Sequence, residues 1–195
     1  MTDDQLALSI PHQTAPPAPA PQPARKEPEP ATPAQALTAW LCDLVRRHQY
    51  GTLGDLRRPH RLSEARLLAA NYAPTEADRS AYAFTAFLFA RYHQGASRPS
   101  HGFGDLGTAM RRIGTDAARG PADDGCKRLF NRLVNASALP EAALQNAVER
   151  LRTGGNVAPS WATLALDLTR WNTPDRRVQE TWARNYFTPP RRPTP

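Results

Sequence analysis

Thr75-Glu76-Ala77-Asp78-Arg79-Ser80-Ala81-Tyr82-Ala83-Phe84-Thr85-Ala86-Phe87-Leu88-Phe89-Ala90-Arg91-Tyr92-His93 is the stretch on which the fold turns. Thr75 with Asp78 reads as a capped start for a helix running to about His93. Tyr82, Phe84, Phe87, Leu88, Phe89 and Tyr92 lie around much of its girth. A helix that is apolar on one stripe packs at a surface, whereas one that is apolar most of the way round is covered on all sides. The stretch is therefore expected to be the central, most buried element of the first half of the chain.

The same period-3.6 logic applies on either side of it. Leu37, Trp40, Leu41, Leu44, Val45 and His48 form one apolar stripe. Short helices are expected over Leu53–Arg58, ended by Pro59, and over Ser63–Tyr72, ended by Pro74. Asp105–Ile113 reads as another short helix after a glycine-rich loop, and Gly114 and Gly120-Pro121 then break the chain. Asp123–Asn135 carries Leu129, Phe130, Leu133 and Val134 on its inner face. A further helix starts at Pro140 and ends at Gly154-Gly155. Ser160 caps the next, with a stripe of Trp161, Leu164, Leu168 and Trp171, and the last starts at Thr173-Pro174 and carries Val178, Trp182 and Tyr186. Alternating strand patterns and hairpin dipeptides are missing. The chain of 195 residues is thus expected to be all-α, with two small helical bundles packed together, N-terminal over 34–115 and C-terminal over 120–188. Residues 1–33 form a Pro/Ala-rich arm, expected to be extended and disordered, and 189–195 a tail.

Charge narrows the function. Of 25 Lys and Arg, only Lys26 and Lys127 are lysines. A GC-rich coding bias explains arginine in place of lysine, but not bases outnumbering acids. The net charge is +7; residues 1–33 carry −2 of it, so residues 34–195 carry +9. A field of that size draws polyanions, with strong salt dependence, and a guanidinium grips phosphate through two parallel hydrogen bonds. No segment approaches the length of a membrane span, and the N-terminus does not read as a secretory signal. Cys42 and Cys126 sit among apolar helical neighbours, as buried free thiols suited to a reducing cytoplasm.

Several motifs fail their context. Gly102-Phe103-Gly104-Asp105-Leu106-Gly107 matches G-x-G-x-x-G, but no strand precedes it, so a dinucleotide site is excluded. It is either a plain loop into a helix or a place where backbone N–H groups, with Arg111-Arg112 nearby, receive a phosphate. His12, His48, His60, His93 and His101 show no metal-ligand spacing with each other or with the cysteines, and there is no nucleophile elbow. No metal, cofactor or catalytic constellation is expected, so the chain is not read as an enzyme. The four tryptophans, Trp40, Trp161, Trp171 and Trp182, fall on apolar stripes and read as core rather than as base-stacking platforms.

The second half resembles a known family. Gly104-Asp105-Leu106-Gly107-Thr108-Ala109-Met110, Lys127-Arg128-Leu129-Phe130-Asn131-Arg132-Leu133, Trp161-Ala162-Thr163-Leu164-Ala165-Leu166-Asp167-Leu168-Thr169-Arg170-Trp171, and Arg177-Val178 with Trp182-Ala183 and Tyr186-Phe187 resemble, in order and spacing, the CasB family. This is the small subunit of the type I-E CRISPR surveillance complex, Cascade. Asp55-Leu56-Arg57-Arg58 resembles an earlier signature of the family. The likeness covers roughly residues 36–188. Ser160 stands where the family often has Asp, and the Pro-rich arm has no counterpart in the family core.

The resemblance implies an all-α protein of two helical bundles that does no chemistry. It implies two copies head to tail within Cascade, beside the other subunits and the guide RNA. The basic face would hold the guide–target region and the displaced DNA strand and so stabilise the R-loop, a nearly balanced exchange that modest backbone contacts can tip. Motif by motif it nominates Arg57, Arg58, Lys127, Arg128 and Arg132. Charge and placement add Arg79, Arg111, Arg112, Arg176 and Arg177. A helical adaptor whose arginines pair with acidic proteins is the competing expectation.

Overall fold

The computed structural model describes residues 31–58 and 63–188, which fall in one compact unit and contain no β-strand, only an isolated bridge between Gly114 and Arg119. The expected N-terminal arm, apart from residues 31–33, and the expected C-terminal tail lie outside the described residues.

Nine α-helices account for most of the described residues: α1 Pro33–Arg46, α2 Tyr50–Leu56, α3 Glu64–Ala70, α4 Arg79–Tyr92, α5 Leu106–Met110, α6 Asp124–Val134, α7 Glu141–Thr153, α8 Trp161–Thr169 and α9 Arg177–Phe187. Local chemistry sets their ends. Thr32 and Gln35 form a reciprocal capping box at the start of α1. The hydroxyls of Ser63 and Ser160 and the carboxylates of Asp105 and Asp123 accept the first free N–H groups of α3, α8, α5 and α6. Gly155, at φ +63°, turns the chain out of α7.

Three starts differ from the sequence expectation, the first being α2, which begins at Tyr50, three residues before the expected Leu53. Thr75 donates to the Asp78 carboxylate, but the intervening residues Glu76–Asp78 make a single 3-10 turn, and α4 proper begins at Arg79. The last helix begins at Arg177 rather than at Thr173-Pro174. The Asp175 carboxylate accepts both the Thr173 hydroxyl and the Arg177 N–H, and Arg176 between them is left-handed at φ +51°. That side-chain turn competes with helix and delays it by three residues.

Helix α4 is the axis of the molecule. Every residue from Ala81 to Ala90 is buried, covered by α3 on one side and by α7 and α8 on others. Phe89, Tyr92 and His93 close on Trp161 of α8, with ring centroids 5.3–6.0 Å from the indole. His93 is a buried junction: its Nδ1–H donates to Phe89 O at 2.9 Å, and its Nε2 accepts the Ser100 N–H at 2.9 Å. That arrangement needs a neutral ring, and burial holds its pKa down to about 4. Ser100 O in turn accepts the Trp161 indole N–H at 2.9 Å. Trp161, Trp171 and Trp182 are fully buried, while Trp40 is only partly covered, against Tyr72. Cys42 and Cys126 are both buried free thiols. Among the described residues, no helix is long and apolar enough to cross a membrane.

The terminal helix is keyed to the rest. Tyr186 stacks on Phe130 of α6 at 3.8 Å between centroids. The Trp182 indole donates to Asp167 of α8 at 2.7 Å, and Asn185 donates to Asp105 at 2.6 Å. Burial, with Asp105 nearby, raises the Asp167 pKa to about 6 against the opposing pull of the indole N–H. Gly107 lets α5 lie directly on the backbone of α9, since a Cβ there would sit 2.1 Å from Trp182 O.

This packing is open to test at Gly107 and at Asp167. Gly107→Ala should destabilise the fold by about 1–3 kcal/mol in chemical denaturation, as overpacking does. Gly51→Ala, where a Cβ meets nothing within 4 Å, should be neutral or stabilising by about 0.4–1 kcal/mol; equal effects would refute the close approach. Asp167, with a folded pKa of about 6 above its unfolded value of 3.8, loses its contribution as pH rises from about 4 to about 6. Asp167→Asn keeps an acceptor for the indole, so it should raise stability at pH 7 by on the order of 1–2 kcal/mol. It should also fall off more steeply on acidification than the native chain. An unchanged pH profile would show that Asp167 ionises normally in the fold.

Candidate nucleic-acid interface

Helix α6 presents the strongest basic surface. Cys126, Leu129, Phe130 and Leu133 face the core, which leaves Lys127, Arg128 and Arg132 in solvent. Arg128 and Arg132 stand one turn apart and line a groove of about 500 Å³ between α6 and α7. Across it, α7 contributes Asn146, Glu149 and Arg150. Gly125 gives Arg150 room, because a Cβ there would lie 3.0 Å from its Nη2. Among the described residues, Lys127, Arg128, Arg132 and Arg150 have no carboxylate within 4 Å. The one acid in the groove, Glu149, is ion-paired from behind by Arg91 of α4. With the Asn146 amide and the Thr153 hydroxyl, its three guanidiniums make a lining suited to an anion with several oxygens.

A second, smaller groove of about 410 Å³ gathers Arg111, Arg112 and Arg119 with Thr108 and Asn185. Its arginines are more committed. Arg111 donates to Tyr186 O at 2.7 Å, Arg112 lies over the Phe103 ring at 5.7 Å, and Arg119 is paired with Asp116.

The remaining candidates divide by what they touch. Arg58, Arg79 and Arg177 each hold a carboxylate two or three residues away: Asp55 at 3.5 Å, Glu76 at 3.4 Å and Asp175 at 2.8 Å. Exposed pairs of this kind contribute roughly 0–1 kcal/mol and compete with any ligand for the charge. Arg176 donates to Val134 O at 2.5 Å, where a cation complements the C-terminal end of α6. Arg57, at the C-terminal end of α2, has no ion-pair partner among the described residues. The structure thus brings Arg128 and Arg132 together with Arg150, which is not among the residues the sequence nominates. Its position relative to α6 is tertiary information, and its one signal in the sequence is Arg152 two residues on.

The glycine-rich loop has a packing explanation. Gly102 lies so close to the next segment that a Cβ would meet Pro159 O at 1.8 Å. Phe103 N–H donates to Ala158 O at 2.9 Å, and Ser160 N–H donates to Gly104 O at 2.8 Å. The place at the start of α5 that a phosphate would take is filled by the protein's own buried Asp105 carboxylate, which accepts the Thr108 N–H at 2.8 Å. Of the two expectations left open for this loop, the geometry supports the structural one. Among the described residues there is also no group of three or more His, Cys, Asp and Glu placed to hold a metal ion.

A family model, the CRISPR-associated protein Cse2, matches residues 44–187, from within α1 to the last residue of α9. The chain belongs to the Cse2 family. Solved Cse2-type structures share its fold. CasB from Thermobifida fusca is 22% identical with a TM-score of 0.57, covering 78% of this chain and 98% of that one. A CRISPR-associated protein of the Cse2 family from Thermus thermophilus is 20% identical with a TM-score of 0.62, covering 80% and 99%. A chain of a CRISPR RNA-guided surveillance complex is 24% identical with a TM-score of 0.62, covering 79% and 89%. No curated protein matches by sequence. Within the matched residues, Asp167 is the acceptor that ties α8 to the indole of Trp182 on α9.

Proposed function

We propose that this protein is a non-catalytic, sequence-independent nucleic-acid-binding subunit of a type I-E CRISPR Cascade. In this role it stabilises the R-loop by contacting the phosphate backbone of the displaced DNA strand and of the guide–target region. Two copies head to tail, beside the other subunits and the guide RNA in the cytoplasm, would extend the basic surface. Membership of the Cse2 family and the likeness to a chain of an RNA-guided surveillance complex support the assembly. The observation that carries the binding role is the α6–α7 groove, where Arg128, Arg132 and Arg150 converge with no free carboxylate among them.

Within this proposal Lys127, Arg128, Arg132 and Arg150 carry most of the grip. Arg57 and Arg112 add to it, and Arg58, Arg79, Arg111, Arg176 and Arg177, each holding a carboxylate or carbonyl, contribute less. A backbone ligand needs no base-reading groups, because pairing with the guide supplies the sequence information.

The test is binding of a labelled single-stranded DNA across a salt series. Native protein should show a log–log slope of about −0.7 per phosphate neutralised, and R128E/R132E should weaken binding at least on the order of tenfold while flattening the slope by about 1.4. R79A, which removes a guanidinium already paired with Glu76, should weaken binding by no more than about twofold. Cascade assembled with the double variant should lose target DNA faster from the R-loop. Native-like binding by R128E/R132E with an intact fold would refute the proposal.

A further inference from the structure

The groove contains an acid in an unfavourable place for a phosphate. Glu149 of α7 lines the groove with Arg128, Arg132 and Arg150, and its side chain is about one-third exposed. Left free, it would pair with one of those guanidiniums and repel a phosphodiester. Instead it is held by Nη2 of Arg91, which comes from the central helix α4 and does not line the groove. Among the described residues, Glu149 is the sole ion-pair partner of Arg91, whose Nε is buried without a hydrogen-bond partner. It is also the one ion pair in that set joining residues distant in sequence; the others span two or three residues.

We propose that Arg91 is a positioning residue for anion binding: by tying down Glu149 it keeps the groove open to phosphate without touching the ligand itself. The inference rests on the binding role assigned to the α6–α7 groove. It identifies how the fold keeps that site receptive despite an acid in its wall. A pair about one-third exposed competes with a ligand at a level of about 0.5–1 kcal/mol, a two- to fivefold effect on affinity.

The experiment is a double-mutant cycle on the full chain, read as affinity for fluorescein-labelled oligothymidylate at fixed salt, with thermal denaturation of each variant alongside. R91M should weaken binding about two- to fivefold. E149Q should bind at least as tightly as the native chain, and adding R91M to E149Q should change nothing further, because no free carboxylate remains to compete. The swapped pair R91E/E149R restores the ion pair and puts another guanidinium in the groove, so it should bind at least as tightly as native, which keeps the test decisive if R91M folds poorly. An equal loss from R91M in both backgrounds would overturn the inference in favour of direct contact or simple structural damage. So would no loss in either, or weak binding by a folded R91E/E149R. If R128E/R132E binds like the native chain, the groove's role itself has failed; if that variant is impaired but the cycle shows no coupling, only the role of Arg91 falls.

Discussion

No flank of α4 between Ala81 and Ala90 reaches water, and that constraint organises everything around it. A helix with phenylalanines and tyrosines on most of its circumference stabilises the chain only when other helices remove all of that surface from solvent. The first half cannot do so alone, because α2 and α3 have seven residues each and α1 packs mainly on α8. Helices α7 and α8 therefore pack directly on α4, and one continuous core runs from Leu37 in α1 to Tyr186 in α9. The neutral ring of His93 and the fully buried indole of Trp161 stitch that junction with backbone hydrogen bonds.

The same constraint shapes the basic surface. With α7 fixed against α4, its Arg150 turns toward α6, and α4 can reach past it to hold Glu149. The arginines of this chain are numerous, but number alone does not make a binding face. Those with an acid two or three residues away, such as Arg58 with Asp55 and Arg79 with Glu76, have their charge partly answered within their own turn. Those on α6 do not. Where the acidic partners sit, rather than where the bases sit, distinguishes a receptive groove from a solvated surface.

Much of this was legible in the amino-acid order. The aromatic run of α4, the cap residue Ser160, the expected starts at Ser63, Asp105 and Asp123, and the stripes bearing Trp161, Trp171 and Trp182 identified an all-α chain and the order of its helices, because these are local properties. The exposed row Lys127, Arg128 and Arg132 was legible for the same reason. The pairing of Arg58 and Arg79 could also have been read, since their acids lie three residues before them; the overall surplus of bases drew attention away from that spacing. The late start of α9 was hidden because Thr173 and Asp175 form a side-chain turn that outcompetes the helix expected after Pro174. The roles of Arg150 and Glu149 were not legible, because they depend on α6 and α4 meeting α7 in space. The glycine motif left a plain loop and a phosphate contact both open, because Gly102 and Gly107 are set by close backbone approaches that no periodicity reveals.

The central claim is that the α6–α7 groove, rather than the arginine surplus as a whole, is where a nucleic-acid strand is gripped. Side-chain Nε–Hε resonances of the arginines, followed by NMR while single-stranded DNA is titrated in, test it most directly. The account predicts that Arg128, Arg132 and Arg150 shift first and furthest, while Arg58, Arg79 and Arg177 stay near their starting positions. Uniform small shifts across all of them, or the largest shifts at the self-paired arginines, would contradict it.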